Sequence, residues 1–101
     1  MRLTAQQQAT LRATVAETFG SDAQVRLFGS RIDDTKRGGD IDLLITTTQS
    51  DVSTLMRAEI ALLTKLQMKL GEQKIDVLLD YPSRKVCPPI LAIARQTGLL
   101  L

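Results

Sequence analysis

The sequence LFGS at residues 27–30, followed after a gap of nine residues by DIDL at residues 40–43, decides the fold and the candidate chemistry of this chain. The first segment predicts an apolar strand that ends in a glycine-serine turn. The second predicts another strand, in which side chains two residues apart project from the same face. Asp40 and Asp42 are therefore expected to lie together, while Ile41 and Leu43 anchor the opposite face of the strand in the core.

The apolar periodicity on either side of these segments predicts the element order α-β-β-α-β-α. This order is typical of an α/β (α+β) fold in which a small mixed β-sheet is flanked by helices. The residues at 4–7 have the spacing of a capping box, which predicts the start of the first helix. The predicted elements are a helix ending at Gly20, strands over 23–28, 40–46 and 74–79, a helix from Ser50 or Asp51 to Gly71, and a helix over 90–97; residues 31–39 and 81–89 are predicted to be connections.

Two apolar segments carry further expectations about packing. The second helix is expected to bury an apolar stripe made of Val52, Leu55, Met56, Leu63, Leu66 and Leu70. The tail over residues 99–101 is entirely leucine, and it is expected either to close the core or to dock on a partner.

Size and composition describe an ordinary globular domain. The 101 residues are expected to form one domain over 1–101, with 44% apolar residues. No stretch reaches the roughly 18 apolar residues of a membrane span, and the first ten residues show no apolar block of a secretory signal. The single cysteine, Cys87, has no partner within the chain, which suits a reducing cytoplasm. We therefore expect a cytoplasmic location.

The composition also excludes several classes of function. The chain has no histidine, which removes Ser-His-Asp and Cys-His catalysis and argues against a zinc site. A net charge of +2 and a total of three aromatic residues are too little for a nucleic-acid surface. Direct nucleic-acid binding is therefore not expected, and catalysis would depend on carboxylates, cations, hydroxyls and a bound metal.

The motif has the chemistry to hold a nucleoside triphosphate and a divalent metal. Gly29 allows close backbone approach to a phosphate, and the Ser30 hydroxyl adds a donor. Arg31 is either a phosphate ligand or a surface charge. Two neighbouring carboxylates, Asp40 and Asp42, repel each other unless a cation lies between them. Magnesium typically takes one or two carboxylates together with phosphate oxygens.

Asp76 repeats the apolar-acid-apolar pattern of Asp42 in the third predicted strand. If that strand neighbours the second one, three carboxylates converge. The third would then bind a second metal, about 3.5–4 Å from the first, or accept the proton of an attacking hydroxyl. A solvated acid on an edge strand is the alternative interpretation.

The whole pattern resembles the polymerase-beta nucleotidyltransferase superfamily, and its minimal nucleotidyltransferase branch (MNT proteins) in particular. The resemblance runs from the first helix through the motif and the Asp76 strand to residues 89–94. It implies that Gly29 and Ser30 contact the triphosphate, that Asp40 and Asp42 bind Mg²⁺, and that Asp76 is the third carboxylate of the metal site.

The same resemblance implies a biological role. Minimal nucleotidyltransferases are often antitoxins paired with a helical HEPN ribonuclease, and they transfer AMP from ATP to a tyrosine of that toxin. For this chain it implies a protein adenylyltransferase with ATP as substrate, and a hetero-oligomer with a HEPN-family toxin. Two alternatives stay open: a catalytically inactive module that masks its partner, and an enzyme that modifies a small hydroxylated molecule.

Overall fold

In a computed structural model, residues 3–28, 41–71, 74–85 and 89–101 are described. Within these residues the helices and strands follow the predicted order, with one short strand added at the end. They are α1 (Ala5–Phe19), β1 (Gln24–Phe28), β2 (Ile41–Thr46), α2 (Val52–Leu70), β3 (Ile75–Asp80), α3 (Pro89–Thr97) and β4 (Leu99–Leu100). The mixed α+β class is confirmed. The predicted loop over 31–39 lies outside the described residues.

The strands form a four-stranded mixed sheet in the order β3-β2-β1-β4. β1 pairs antiparallel with β2 and with β4, whereas β2 and β3 run parallel. A parallel pair needs a long crossover connection, and α2 supplies it here. The carboxyl end of β1 and the amino ends of β2 and β3 therefore lie at one end of the sheet, which we call the site end.

One face of the sheet packs on α1 and α2 and carries the main core. Alternate strand residues point to this face, as period-two alternation requires. The buried side chains of this core are Leu3, Leu11, Val15, Val25, Leu27, Ile41, Leu43, Ile45, Leu55, Leu62, Leu66, Ile75 and Leu79. The central strand β2 contributes three residues with no exposed surface to this core: Ile41, Leu43 and Ile45.

The stripe predicted for α2 was partly wrong. The helix buries Leu55, Ala58, Leu62 and Leu66, whereas Val52 and Met56 are each 51% exposed. α2 carries more apolar residues than one face can bury, so helical spacing alone allows several neighbouring stripes, and contact with the sheet selects one of them. Asp51 is the N-cap residue, and its carboxylate accepts a hydrogen bond from the Thr54 hydroxyl at 2.6 Å.

The first helix starts where the capping box predicts. The Thr4 hydroxyl accepts a hydrogen bond from the Gln7 amide at 3.0 Å, and the Gln7 side chain accepts one from the Thr4 amide at 2.9 Å. Near its other end, Glu17 pairs with Lys65 at 3.2 Å and Lys69 at 3.7 Å on α2. The hydrogen bond from Lys65, with the charges of both lysines, holds the pKa of Glu17 below its ordinary value. These groups are exposed, so we expect little stabilisation from them.

The leucine tail forms a strand that the sequence analysis did not predict. Leu99 pairs with Leu27 and Leu100 pairs with Arg26, while the Leu101 amide donates to the Val25 carbonyl at 3.0 Å. Leu101 packs against the main core, but Leu99 and Leu100 are 38% and 58% exposed. The backbone pairing of a tail depends on a partner strand far away in the chain, and residue type does not reveal it.

Gly98 connects α3 to this strand, and Gly98→Ala is expected to destabilise the fold by about 1–3 kcal/mol. A Cβ at this position would lie 2.5 Å from the Ala94 carbonyl oxygen and 3.1 Å from the Arg26 Cβ, so backbone must shift. Urea unfolding followed by circular dichroism measures the loss. The control is Gln96→Ala, an exposed site on the same helix, which should change stability by no more than about 0.5 kcal/mol. Equal stability of the two variants would contradict this account.

None of the helices in the described part of the chain is long and apolar enough to cross a membrane.

Candidate nucleotide and metal site

Two of the predicted site carboxylates lie side by side at the site end of the sheet. Asp42 and Asp76 are the second residues of β2 and β3, and they are register partners across the parallel pair. Asp42 is also the register partner of Phe28, the last residue of β1. Register partners share a face, so Phe28, Asp42 and Asp76 form one row across three strands. The expectation that β3 neighbours β2 is therefore met.

Local sequence explains why both acids face away from the main core. Each is flanked by apolar residues that are buried on the opposite face, Ile41 with 0% and Ile75 with 8% of its surface exposed. Burial of Ile41 and Ile75 sets the alternation, since a one-residue slip would put the carboxylates in the core. Asp42 is consequently half-buried, and Asp76 on the outer strand is exposed.

Asp42 and Asp76, which we call the acid pair, have the electrostatics of a cation site. Neighbouring strands lie about 4.8 Å apart, so the two carboxylates are held within mutual repulsion distance. Carboxylate oxygens in a partly solvated position are the ligands that Mg²⁺ prefers. The donor set therefore fits a divalent metal that also binds phosphate oxygens.

The other predicted site residues, Gly29, Ser30, Arg31 and Asp40, lie outside the described residues. In the sequence, residues 29–31 follow Phe28, and Asp40 precedes Ile41. Phe28 is the register partner of Asp42, and Ile41 is its neighbour in the chain. Over residues 3–28, 41–71, 74–85 and 89–101, no group of three or more Asp, Glu, His or Cys side chains is placed to hold a metal ion. The described part of the chain thus brings together two carboxylates of the predicted three.

A second, smaller core lies on the face of the sheet that carries Asp42 and Asp76, and it includes Phe28. Leu91 and Ala94 of α3 are buried against Phe28 and Leu44, with Leu78 packed at the margin. α3 therefore packs against Phe28, the last residue of β1, which immediately precedes Gly29 in the chain. The helix predicted over 90–97 is confirmed as α3, but this role was not predicted. Its signal is the i, i+3 spacing of Leu91 and Ala94 on an otherwise exposed helix.

Asp80 lies just outside the predicted strand over 74–79, but the structure includes it in β3. It is the last residue of β3 and shares a face with Asp76, four residues away. At about 3.3 Å per residue the two positions are roughly 13 Å apart, too far for one metal site. Its carboxylate is held by Arg95 of α3 through two hydrogen bonds, 2.6 Å and 2.9 Å long. Asp80 therefore ties α3 to the sheet.

Comparison with known protein families gives a match to this chain. The model of the family described as "Nucleotidyltransferase domain" matches residues 9–88, which include α1 from its second turn, β1 to β3 and every predicted site residue. No curated protein matches the chain significantly.

Proposed function

The chain belongs to the nucleotidyltransferase domain family, and from that premise we propose that it is a Mg²⁺-dependent protein adenylyltransferase. It transfers AMP from ATP to a hydroxyl group, a tyrosine of a HEPN-family toxin, and acts as the antitoxin of that pair. Family membership supports the transfer of a nucleotide. The choice of ATP, magnesium, tyrosine and toxin follows from the resemblance to minimal nucleotidyltransferases.

Each site residue has a separate role in this proposal. Asp40 and Asp42 hold the metal, with Asp76 as the third carboxylate of the set. Gly29, Ser30 and Arg31 bind the triphosphate. Bound Mg²⁺ would supply positive charge beside the phosphate oxygens.

The transfer itself is an in-line displacement at the α-phosphorus. The acceptor oxygen forms a bond to this phosphorus as the bond to the bridging oxygen of the leaving group breaks. Pyrophosphate departs, and Asp76 accepts the proton of the acceptor hydroxyl. Asp76 is suited to this task because it is the outer and more exposed member of the acid pair.

The observation that carries the proposal is the register of Asp42 with Asp76 on one face, beside the last residue of β1. A single acid on a strand is an ordinary surface feature. Two acids in register on parallel neighbours concentrate negative charge at one point, which is where a divalent cation would bind. Their position beside the strand that precedes Gly29 supports a combined metal and phosphate site.

The proposed setting follows from the same premise. Residues 1–101 act as a single minimal nucleotidyltransferase domain in the cytoplasm, in a hetero-oligomer with the toxin and without direct nucleic-acid or membrane binding. In this proposal a separate protein supplies the acceptor hydroxyl.

Mass spectrometry of the acceptor tests the proposal. The chain is mixed with ATP, Mg²⁺ and the product of the neighbouring gene, and the partner is then weighed intact. A gain of one or more AMP units on a tyrosine is expected, and it should require Mg²⁺. A stable complex whose partner keeps its unmodified mass would instead support masking without catalysis. AMP on a small hydroxylated compound, with no protein modified, would redirect the proposal to a small-molecule acceptor.

A further inference from the structure

Among the described residues, no strand pairs with the outer edge of β3, the edge that faces away from β2. In the parallel pair, the Ile41 amide donates to the Lys74 carbonyl and the Thr47 amide donates to the Asp80 carbonyl, both at 3.0 Å. Even-numbered residues of β3 therefore direct their backbone groups to β2. Successive residues of a strand point these groups to opposite sides, so Ile75, Val77 and Leu79 direct theirs outward.

The two ends of this edge differ. At the far end, the Leu79 carbonyl accepts a hydrogen bond from the Arg84 guanidinium at 2.9 Å. At the site end, the described residues provide no partner for the outward amides and carbonyls of Ile75 and Val77. Exposed edges are usually blunted by charge, proline or a bulge. At the site end the exposed side chains of Lys74 and Asp76 add charge, while the described residues leave the outward amides and carbonyls of Ile75 and Val77 available for pairing.

We propose that the acceptor polypeptide docks as an extended segment that adds a strand to the outer edge of β3, beside Ile75 and Val77. The inference rests on the proposed function and deepens it, since it states how the hydroxyl reaches the site. Strand addition supplies affinity through main-chain hydrogen bonds and specificity through alternate side chains.

Register explains why this edge suits a hydroxyl acceptor. A residue of the added strand opposite Asp76 projects from the same face as Asp76, because register partners share a face. Its side chain therefore lies next to the acid pair, on the side of Asp76 away from Asp42. The hydroxyl proton passes to the Asp76 carboxylate as the oxygen bonds to the α-phosphorus and pyrophosphate leaves.

Continuity with the acid pair identifies the occupant. The outward groups flank Asp76 in the chain on both sides, so whatever pairs with them lies against this carboxylate. Alternating donors and acceptors at strand spacing match an extended peptide, whereas a helix has already used its own backbone groups. A second copy of this chain would pair with the same edge through its own β3, whose residues Ile75–Asp80 carry no hydroxyl, and it is the competing occupant in the test.

Val77→Pro removes an outward amide and leaves the ladder to β2 intact. Proline is tolerated where a strand amide faces away from the sheet, and the extended backbone of Asp76 suits a residue before proline. We expect transfer to a peptide acceptor to fall about tenfold or more, since the edge loses one donor and gains a ring that blocks pairing. Val77→Ala keeps the amide and should lower transfer less than about twofold. Circular dichroism verifies that both variants are folded.

The probe is a short synthetic peptide with one central tyrosine among alternating valine and glutamine residues, blocked at both ends. Single N-methyl groups are placed along its backbone in turn. Strand pairing predicts that methylation blocks binding at every second position only. Amide hydrogen exchange gives a readout independent of catalysis, and Val77 exchange should slow severalfold when the peptide is added.

The outcomes separate the docking inference from the proposed function. Slower Val77 exchange with the period-two methylation pattern, but no AMP on the tyrosine, would support the edge and contradict the transferase. AMP transfer that survives in Val77→Pro, or unchanged Val77 exchange with the peptide present, would overturn the edge. Dimerisation that Val77→Pro abolishes without loss of transfer would assign the edge to a second copy, which also overturns the inference.

Discussion

Asp42→Asn is expected to abolish AMP transfer while the protein stays folded. The substitution keeps the size of the side chain but removes the negative charge from the inner member of the acid pair. A metal-bound phosphate site depends on that charge for several kcal/mol of transition-state stabilisation, which corresponds to about a thousandfold in rate. Incorporation of labelled AMP into the acceptor, measured at saturating ATP and Mg²⁺, gives the comparison with the unchanged chain.

Asp51→Asn is the matched control for this variant. Asp51 is an exposed aspartate at the start of α2, at the opposite end of β2 from Asp42. The substitution removes the negative charge of Asp51, whose carboxylate accepts a hydrogen bond from Thr54. Because Asp51 is exposed and outside the proposed site, the rate of transfer should be unchanged within about twofold. Transfer by Asp42→Asn at the rate of the Asp51→Asn control would contradict the proposed metal site.

Leu43→Ala is expected to cause the largest loss of stability among single truncations in the sheet, about 3 kcal/mol. Leu43 has no exposed surface in the central strand β2, between Leu27 and Val77 in register. Truncation leaves a cavity between the sheet and the helices α1 and α2, which can close only by moving whole elements. Urea denaturation monitored by circular dichroism at pH 7 measures the change in the free energy of unfolding.

The control for this experiment is Met68→Ala on α2. Met68 is 82% exposed, so its truncation should change stability by no more than about 0.5 kcal/mol. If Leu43→Ala unfolds at the same urea concentration as Met68→Ala, the central position of β2 in the core is wrong.

Local signals predicted the elements and their order well. The capping box at Thr4 and Gln7 placed the start of α1 correctly, because both hydrogen bonds are made within one turn. The i, i+2 alternation likewise placed Asp42 and Asp76 opposite buried neighbours. These signals act over a few residues, and they need no information from the rest of the chain.

Signals that depend on distant partners were the ones that failed. The predicted apolar stripe of α2 was shifted because packing against the sheet buries Ala58 and Leu62, which the predicted stripe did not include. β4 was missed because its pairing with β1 joins segments more than seventy residues apart in the chain. Asp80 fell outside the predicted strand over 74–79 because its backbone pairing with β2 and its hydrogen bonds to Arg95 both involve residues distant in the chain.

The amino-acid sequence alone determined the nucleotidyltransferase family, the strand that carries Asp42 and the strand that carries Asp76. The family followed from the resemblance of the motif over residues 27–43 and from the family match, whereas alternation predicted the two strands because it is a local property of the backbone. Only the tertiary structure decided that β3 lies parallel to β2 with these two acids in register, and that α3 covers the same face beside them. Strand pairing and helix packing depend on burying the shared apolar surface of α1, α2 and the sheet, which no single segment of the sequence contains.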